Sequence, residues 1–150
     1  MTWPEQPPGG SGLAGLDRLL GGLVRRVPHA RGAVLLTADG LLGCAHGLDP
    51  DGADQLAALA SGLFSLGRSA GARFGNGAAV RQVAVELDGA LLFVSAAGAG
   101  TCLAVLAGPE ADAGVLGYEM GVLVTTVRPC LAAPPRRPAA TTGPGAAPEY

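Results

Sequence analysis

Residues 83–107 read VAVELDGALLFVSAAGAGTCLAVLA, and this stretch decides the fold. Val83, Val85 and Leu87 alternate with Ala84 and Glu86, the period of a strand whose second face is less deeply buried. Asp88-Gly89 supplies a tight hairpin. Leu91 to Val94 and Cys102 to Leu106 are apolar without alternation and are joined by a turn over residues 97–100. Two adjoining strands of that kind need helices over both faces of the sheet.

The flanking sequence provides those helices. Upstream, Leu13, Leu16, Leu19, Leu20, Leu23, Val24 and Val27 recur at three- and four-residue intervals, the stripe of an amphipathic helix that Pro28 ends. Ala33 to Thr37 and Leu41 to Ala45 are apolar runs around Asp39-Gly40, read as a hairpin with a φ > 0 pair at its tip. A long second helix follows, with Asp51 as its expected cap and Asp54 in its first turn. Its apolar positions are Leu56, Leu59, Ala60, Leu63, Phe64, Gly67, Ala70 and Gly71, ending at Phe74, and the small residues Ser61, Gly62 and Ser65 lie beside them. Glu110 and Asp112 open a last helix with the stripe Leu116, Met120, Leu123, Val124 and Val127, expected to stop before Pro129. The expected fold class is therefore α+β: α-β-β-α-β-β-β-α, a five-stranded antiparallel sheet sandwiched between helices.

That arrangement makes the third strand a sheet edge, and no Pro or Lys protects it from pairing with another chain. Each glycine inside the second helix costs about 1 kcal/mol relative to alanine, so packing from outside should return that stability. Both points lead to a symmetric dimer, with third strands paired across a two-fold axis and second helices in contact. The expected dimer interface is Leu56, Leu59, Ala60, Leu63, Phe64, Gly67, Val83 and Val85.

With 150 residues, 49% of them hydrophobic and 15% charged, the chain can bury one core and hardly two. The expected domain spans 13–130. Residues 1–12, MTWPEQPPGGSG, read as a disordered lead and 131–150 as a disordered Pro/Ala-rich tail, because neither offers enough apolar surface to offset the entropy of ordering. Trp3, Arg136 and Arg137 then read as solvated tail residues in preference to docking groups. A formal charge of -2 with no lysine and no arginine stripe excludes nucleic acid as a main partner. No apolar run is long enough to insert in a membrane and the N-terminus has no secretory pattern, so a cytoplasmic location is expected. Cys44, Cys102 and Cys130 lack C-x-x-C spacing and read as reduced structural thiols.

The segments LDRLLGGLVRRVPHARGAVLLTADGLL (16–42), DGADQLAALASGLFSLGRSA (51–70) and residues 83–107, in this order, resemble the roadblock, or dynein light chain, family. The bacterial branch found in multigene signalling operons is the nearer likeness. The abundance of Ala, Gly, Pro and Arg without Lys also fits a GC-rich bacterial gene. The resemblance implies a non-enzymatic homodimer that binds a small Ras-like GTPase and regulates it, with a sensor kinase-like protein as a further partner and recruitment to the membrane through partners. It carries over no catalytic residue, cofactor or metal.

The residues themselves agree with that lack of chemistry. A GTPase would need the lysine of a G-x-x-x-x-G-K-[ST] loop. His29 and His46 lie at element ends with no local motif around them, and Glu86 and Glu119 read as solvated faces. An arginine lent to a GTPase could come from Arg25, Arg26, Arg68, Arg73 or Arg81, of which Arg68, Arg73 and Arg81 are the candidate partner contacts, although solubilising an otherwise weakly charged chain is the plainer role. The alternative function is a small-molecule sensor of profilin, PAS or GAF style, which a cofactor-sized pocket between sheet and helix would favour.

Overall fold

The computed structural model describes residues 13–77, 79–98 and 100–131. The expected lead, most of the expected tail, Trp3, Arg136 and Arg137 lie outside them. The elements are α1 (Leu13–Arg26), β1 (Ala30–Thr37), β2 (Leu42–His46), α2 (Pro50–Phe74), β3 (Gln82–Leu87), β4 (Ala90–Gly98), β5 (Thr101–Ala107) and α3 (Ala113–Leu131). All strand pairs are antiparallel, in the order β2-β1-β5-β4-β3. This is the α+β sandwich that the patterning implies, with β3 at an edge.

The two faces of the sheet carry separate cores. On one, Leu16, Leu20, Leu23 and Val27 of α1 and Leu116, Met120, Leu123, Val124 and Val127 of α3 close over Leu35, Leu91, Phe93, Leu103 and Val105. On the other, Ala53, Leu56, Ala57 and Ala60 of α2 cover Val34, Leu36, Leu92, Val94, Cys102 and Ala104. Arg26 Nε donates to Glu119 Oε1 at 3.0 Å, tying α1 to α3 on the half-exposed outside, where such a pair contributes about 0–1 kcal/mol.

Several local expectations are corrected. Asp49, not Asp51, caps α2: it has extended backbone, its side chain accepts from Gly52 N, and Pro50 occupies the first helical turn. A proline there loses no helical hydrogen bond and presets φ, so the helix begins two residues earlier than the spacing of charges suggests. The tip of the first hairpin is not a φ > 0 pair. Gly40 N donates to Thr37 O at 2.9 Å, Thr37 N donates to Leu41 O at 2.9 Å, and of the tip residues Gly40 alone takes a positive φ, +97°. The loop is thus Ala38 to Gly40, a turn with a left-handed glycine at its end. The β4–β5 connection is also tighter than expected, with Gly98 already opposite Thr101.

α3 does not stop before Pro129 but continues to Leu131, one residue into the expected tail. Proline is costly in a helix interior because it lacks an N–H and crowds the carbonyl four residues back. In the last turn only one such bond is forgone. At the other junction, β2 reaches α2 through Gly47, whose φ is +86° and whose added Cβ would stand 2.4 Å from the Arg31 carbonyl oxygen, so only glycine fits.

Asp49→Ala should lower the stability by about 1 kcal/mol, and Asp51→Ala by a few tenths at most, as read by urea midpoints. A larger loss at Asp51 than at Asp49 would contradict this helix start.

Candidate functional site

Among the described residues the fold leaves the second half of α2 and the outer edge of β3 uncovered. β2 and β3 lie at opposite edges, so α2 must carry the chain across the whole sheet, and its 25 residues span about 37 Å at 1.5 Å per residue. Its fully buried residues, Ala53, Leu56, Ala57 and Ala60, all fall in the first half. Beyond them Leu63 and Phe64 are half-buried and pack beside Val83 and Val85 of β3, while Leu59, Leu66 and Phe74 are 62%, 69% and 82% exposed. The open edge of β3 runs alongside, with the burial of its residues alternating as the sequence alternates. An apolar helix face and an unpaired strand edge therefore share one side of the molecule.

Of the expected interface residues, Leu59, Leu63, Phe64, Gly67, Val83 and Val85 are in or beside this region. Leu56 and Ala60 are not available to a partner: at 6% and 0% exposure they point into the protomer's own core under α2. The small residues are also used differently from expectation. A Cβ on Gly67 would stand 3.0 Å from Val83 Cγ2 and 3.4 Å from Val80, so this glycine lets α2 approach its own edge strand. The Ser61 hydroxyl donates to Ala38 O at 2.7 Å, fastening α2 to the first hairpin. Gly62 has open space where its Cβ would be, and it remains the position where another backbone could come close. Leu66 is the exposed residue that sequence reading missed; it stands seven residues after Leu59, and that interval was the available signal.

The candidate arginines do not converge. Arg68 is exposed on α2 and lines a groove with Phe64, Ala38 and Thr101. Arg73 lies 5.7 Å from the centre of the Phe74 ring at the end of α2, a cation–π contact. Arg81 lies beside the start of β3 in a groove on the α3 side of the sheet. Glu119, expected to be solvated, is engaged with Arg26, and Glu86 is exposed on the edge strand. His46 packs against Gly21 of α1, and His29 occupies the left-handed turn between α1 and β1. No cluster of three or more His, Cys, Asp or Glu side chains suited to a metal occurs among the described residues.

A family model described as the Roadblock/LC7 domain matches residues 16–107. The chain belongs to the Roadblock/LC7 family. This Roadblock/LC7 chain is 70% identical to a crystal structure of a Roadblock/LC7 domain from Streptomyces avermitilis, over 78% of this chain and 98% of that one, with a TM-score of 0.75. It is similar in fold to the gliding protein MglB of Thermus thermophilus, at 18% identity over 87% of this chain and 98% of that one, TM-score 0.74. An MglB with a tetrameric arrangement gives 17% identity over 87% and 97%, TM-score 0.75. Among proteins with curated descriptions, none matches. No helix among the described residues is long and apolar enough to cross a membrane.

The cysteines of this domain are set apart from each other. Cys44 pairs with Leu35 and joins the core under α1, whereas Cys102 lies under α2; the Cys130 side chain is outside the described residues. Burial pushes the Cys44 thiol up to about 12, with the Asp17 carboxylate adding to the effect. Burial also pushes Cys102 up to about 11, against the opposing pull of the Arg68 guanidinium. Both are poor nucleophiles, since the thiolate is the reactive form. Iodoacetamide at about pH 8 should spare both in native buffer and alkylate both in urea; fast native alkylation of either would refute the placement. Folded values above the ordinary 9.0 mean that the thiols' stabilising share is whole below that pH and declines as pH rises toward the folded values.

Proposed function

We propose that the protein is a non-enzymatic homodimeric regulator or adaptor that binds a small Ras-like GTPase and adjusts its nucleotide cycle or its coupling to a sensor kinase-like protein. The observation that carries the reading is the coincidence of the open β3 edge with the exposed apolar half of α2. An antiparallel pair of β3 strands keeps like faces together. Val83 and Val85 of both copies would then line the side on which the two α2 helices meet. Leu59, Leu63, Phe64 and Leu66 would be covered there, with Gly62 admitting the closest approach of the helices. The GTPase rests on membership of the Roadblock/LC7 family and on what the bacterial branch implies, and the likeness to MglB supplies the fold for it. Arg68, Arg73 and Arg81, exposed on two sides of the domain, are candidate contacts for such a partner. Membrane recruitment would come through those partners.

Light scattering at micromolar concentration should give twice the chain's 14.7 kDa. Leu59→Glu and Leu66→Glu, both at exposed positions, should weaken the dimer at least tenfold while leaving the circular dichroism unchanged. For the partner, nucleotide release and GTP turnover by a small Ras-like GTPase of the same organism should change when the protein is added, and less so with Arg68→Ala, Arg73→Ala or Arg81→Ala. A stable monomer, or a GTPase that neither binds nor changes its nucleotide cycle, would overturn the proposal.

A further inference from the structure

On the opposite face of the sheet from α2, the β4 residues Leu91, Phe93, Ser95 and Ala97 form one row toward α1 and α3. Three of them belong to the apolar core; Ser95 is the polar exception. It is 9% exposed, and its Oγ is buried with no hydrogen-bond partner among the described residues. A buried hydroxyl left unsatisfied costs about 1–3 kcal/mol, and the neighbouring positions 96 and 97 show that alanine fits this strand. Packing alone does not account for a serine there.

Above Ser95 the facing side of α3 carries two glycines that packing does not explain. Gly117, Met120, Gly121 and Val124 recur at three- and four-residue intervals and form one wall of a groove of about 370 Å³. A Cβ on Gly121 would meet nothing within 4 Å, and one on Gly117 would meet only the Gln82 side-chain amide, at 3.7 Å. Glycine costs a helix about 1 kcal/mol relative to alanine, so two of them on one stripe, with room for larger residues, keep a trench open. Gln82, in register with Ser95, forms its floor.

The charges in this trench are of one sign. Arg81 lies on its β3 side and Arg128 on its α3 side, no Asp or Glu lines it, and neither arginine has an ion pair among the described residues. We infer that this trench binds a small organic anion. A carboxylate or phosphate head sits between the Arg81 and Arg128 guanidiniums, an apolar body lies over Gly117 and Gly121 beside the edge of Val124, and rotation of the Ser95 side chain, whose Oγ is closed off in this conformation, brings its hydroxyl to an oxygen of the ligand. Its volume is within the usual range for small-molecule sites, and apolar walls with a few placed polar groups are their usual make-up. The α3 wall lies beyond residues 16–107 matched by the family model. It lies across the sheet from α2, and the inference does not depend on the GTPase or on the dimer. A bound anion would bridge α3 to the start of the edge strand, giving the domain an input separate from its apolar docking side.

The test is a titration of the ¹⁵N-labelled full chain, followed by its amide spectrum at fixed ionic strength. Hexanoate and hexyl phosphate present the two head groups; hexanol and hexylammonium are the neutral and cationic controls. The expected result is saturable shifts at Ser95, Gly117 and Gly121 with at least one anion, at least tenfold tighter than with either control, and the better anion names the head group. Arg81→Gln with Arg128→Gln should weaken that binding tenfold or more. Gly121→Leu, whose Cβ would meet nothing within 4 Å, should abolish it at an unchanged or higher melting temperature. Failure of both anions to saturate, equal binding of hexanol, or wild-type affinity in Gly121→Leu would overturn the inference.

Discussion

The passage of α2 from one edge of the sheet to the other governs most of this structure. β1 and β2 form one hairpin, and the β3-β4-β5 meander returns to place β5 beside β1, so the chain has to leave at β2 and re-enter at the far edge. A helix can make that crossing only if it is long, and one helix has too few apolar positions to seal a five-stranded face along its whole length. The first half of α2 seats Ala53, Leu56, Ala57 and Ala60 on the centre of the sheet. The second half runs toward the edge with Leu59, Leu66 and Phe74 in solvent. The exposed apolar surface and the open strand therefore have a common topological origin, because the helix arrives where the sheet ends.

Much of the fold was legible because its signals were periodic and long. The unbroken runs in β4 and β5 demanded helices on two sides, and the alternation of Val83, Ala84, Val85 and Glu86 marked an edge. What misled was local chemistry in which two readings share the same letters. Asp49 and Asp51 flank Pro50, and only the proline's place in the first turn shows which aspartate is the cap. Pro129 looked like a stop, yet a proline in a final turn forgoes little. Leu56 and Ala60 carry the same stripe as Leu63 and Phe64, and a stripe cannot say how far the sheet beneath it extends.

The candidate site was legible in part for the same reason. Leu59, Leu63, Phe64, Val83 and Val85 could be assigned to one side because helix and strand periods state which residues share a face. The groove under α3 could not. Ser95 stands in the run LLFVSAAG, where a serine is ordinary until the neighbours on its own face are known, and Gly117 and Gly121 look like the composition of a glycine-rich chain.

Glycine in these helices illustrates the limit in physical terms. Gly67 brings α2 onto Val83 of its own protomer, Gly62 faces open space on the outer side of the same helix, and Gly117 and Gly121 hold a trench beneath another. Each gives up the same helix propensity, so the cost seen from sequence is identical while the surroundings differ: a close intramolecular contact at Gly67, open space at Gly62, and a groove at Gly117 and Gly121. The compensation is a property of the space around the missing side chain. Where that space is filled by the protein's own atoms the glycine is structural. Where it is empty, the protomer itself returns nothing for the stability forgone in the helix, and that condition puts the outer side of α2, proposed to meet a second copy, and the inner side of α3, proposed to meet an anion, in the same physical class.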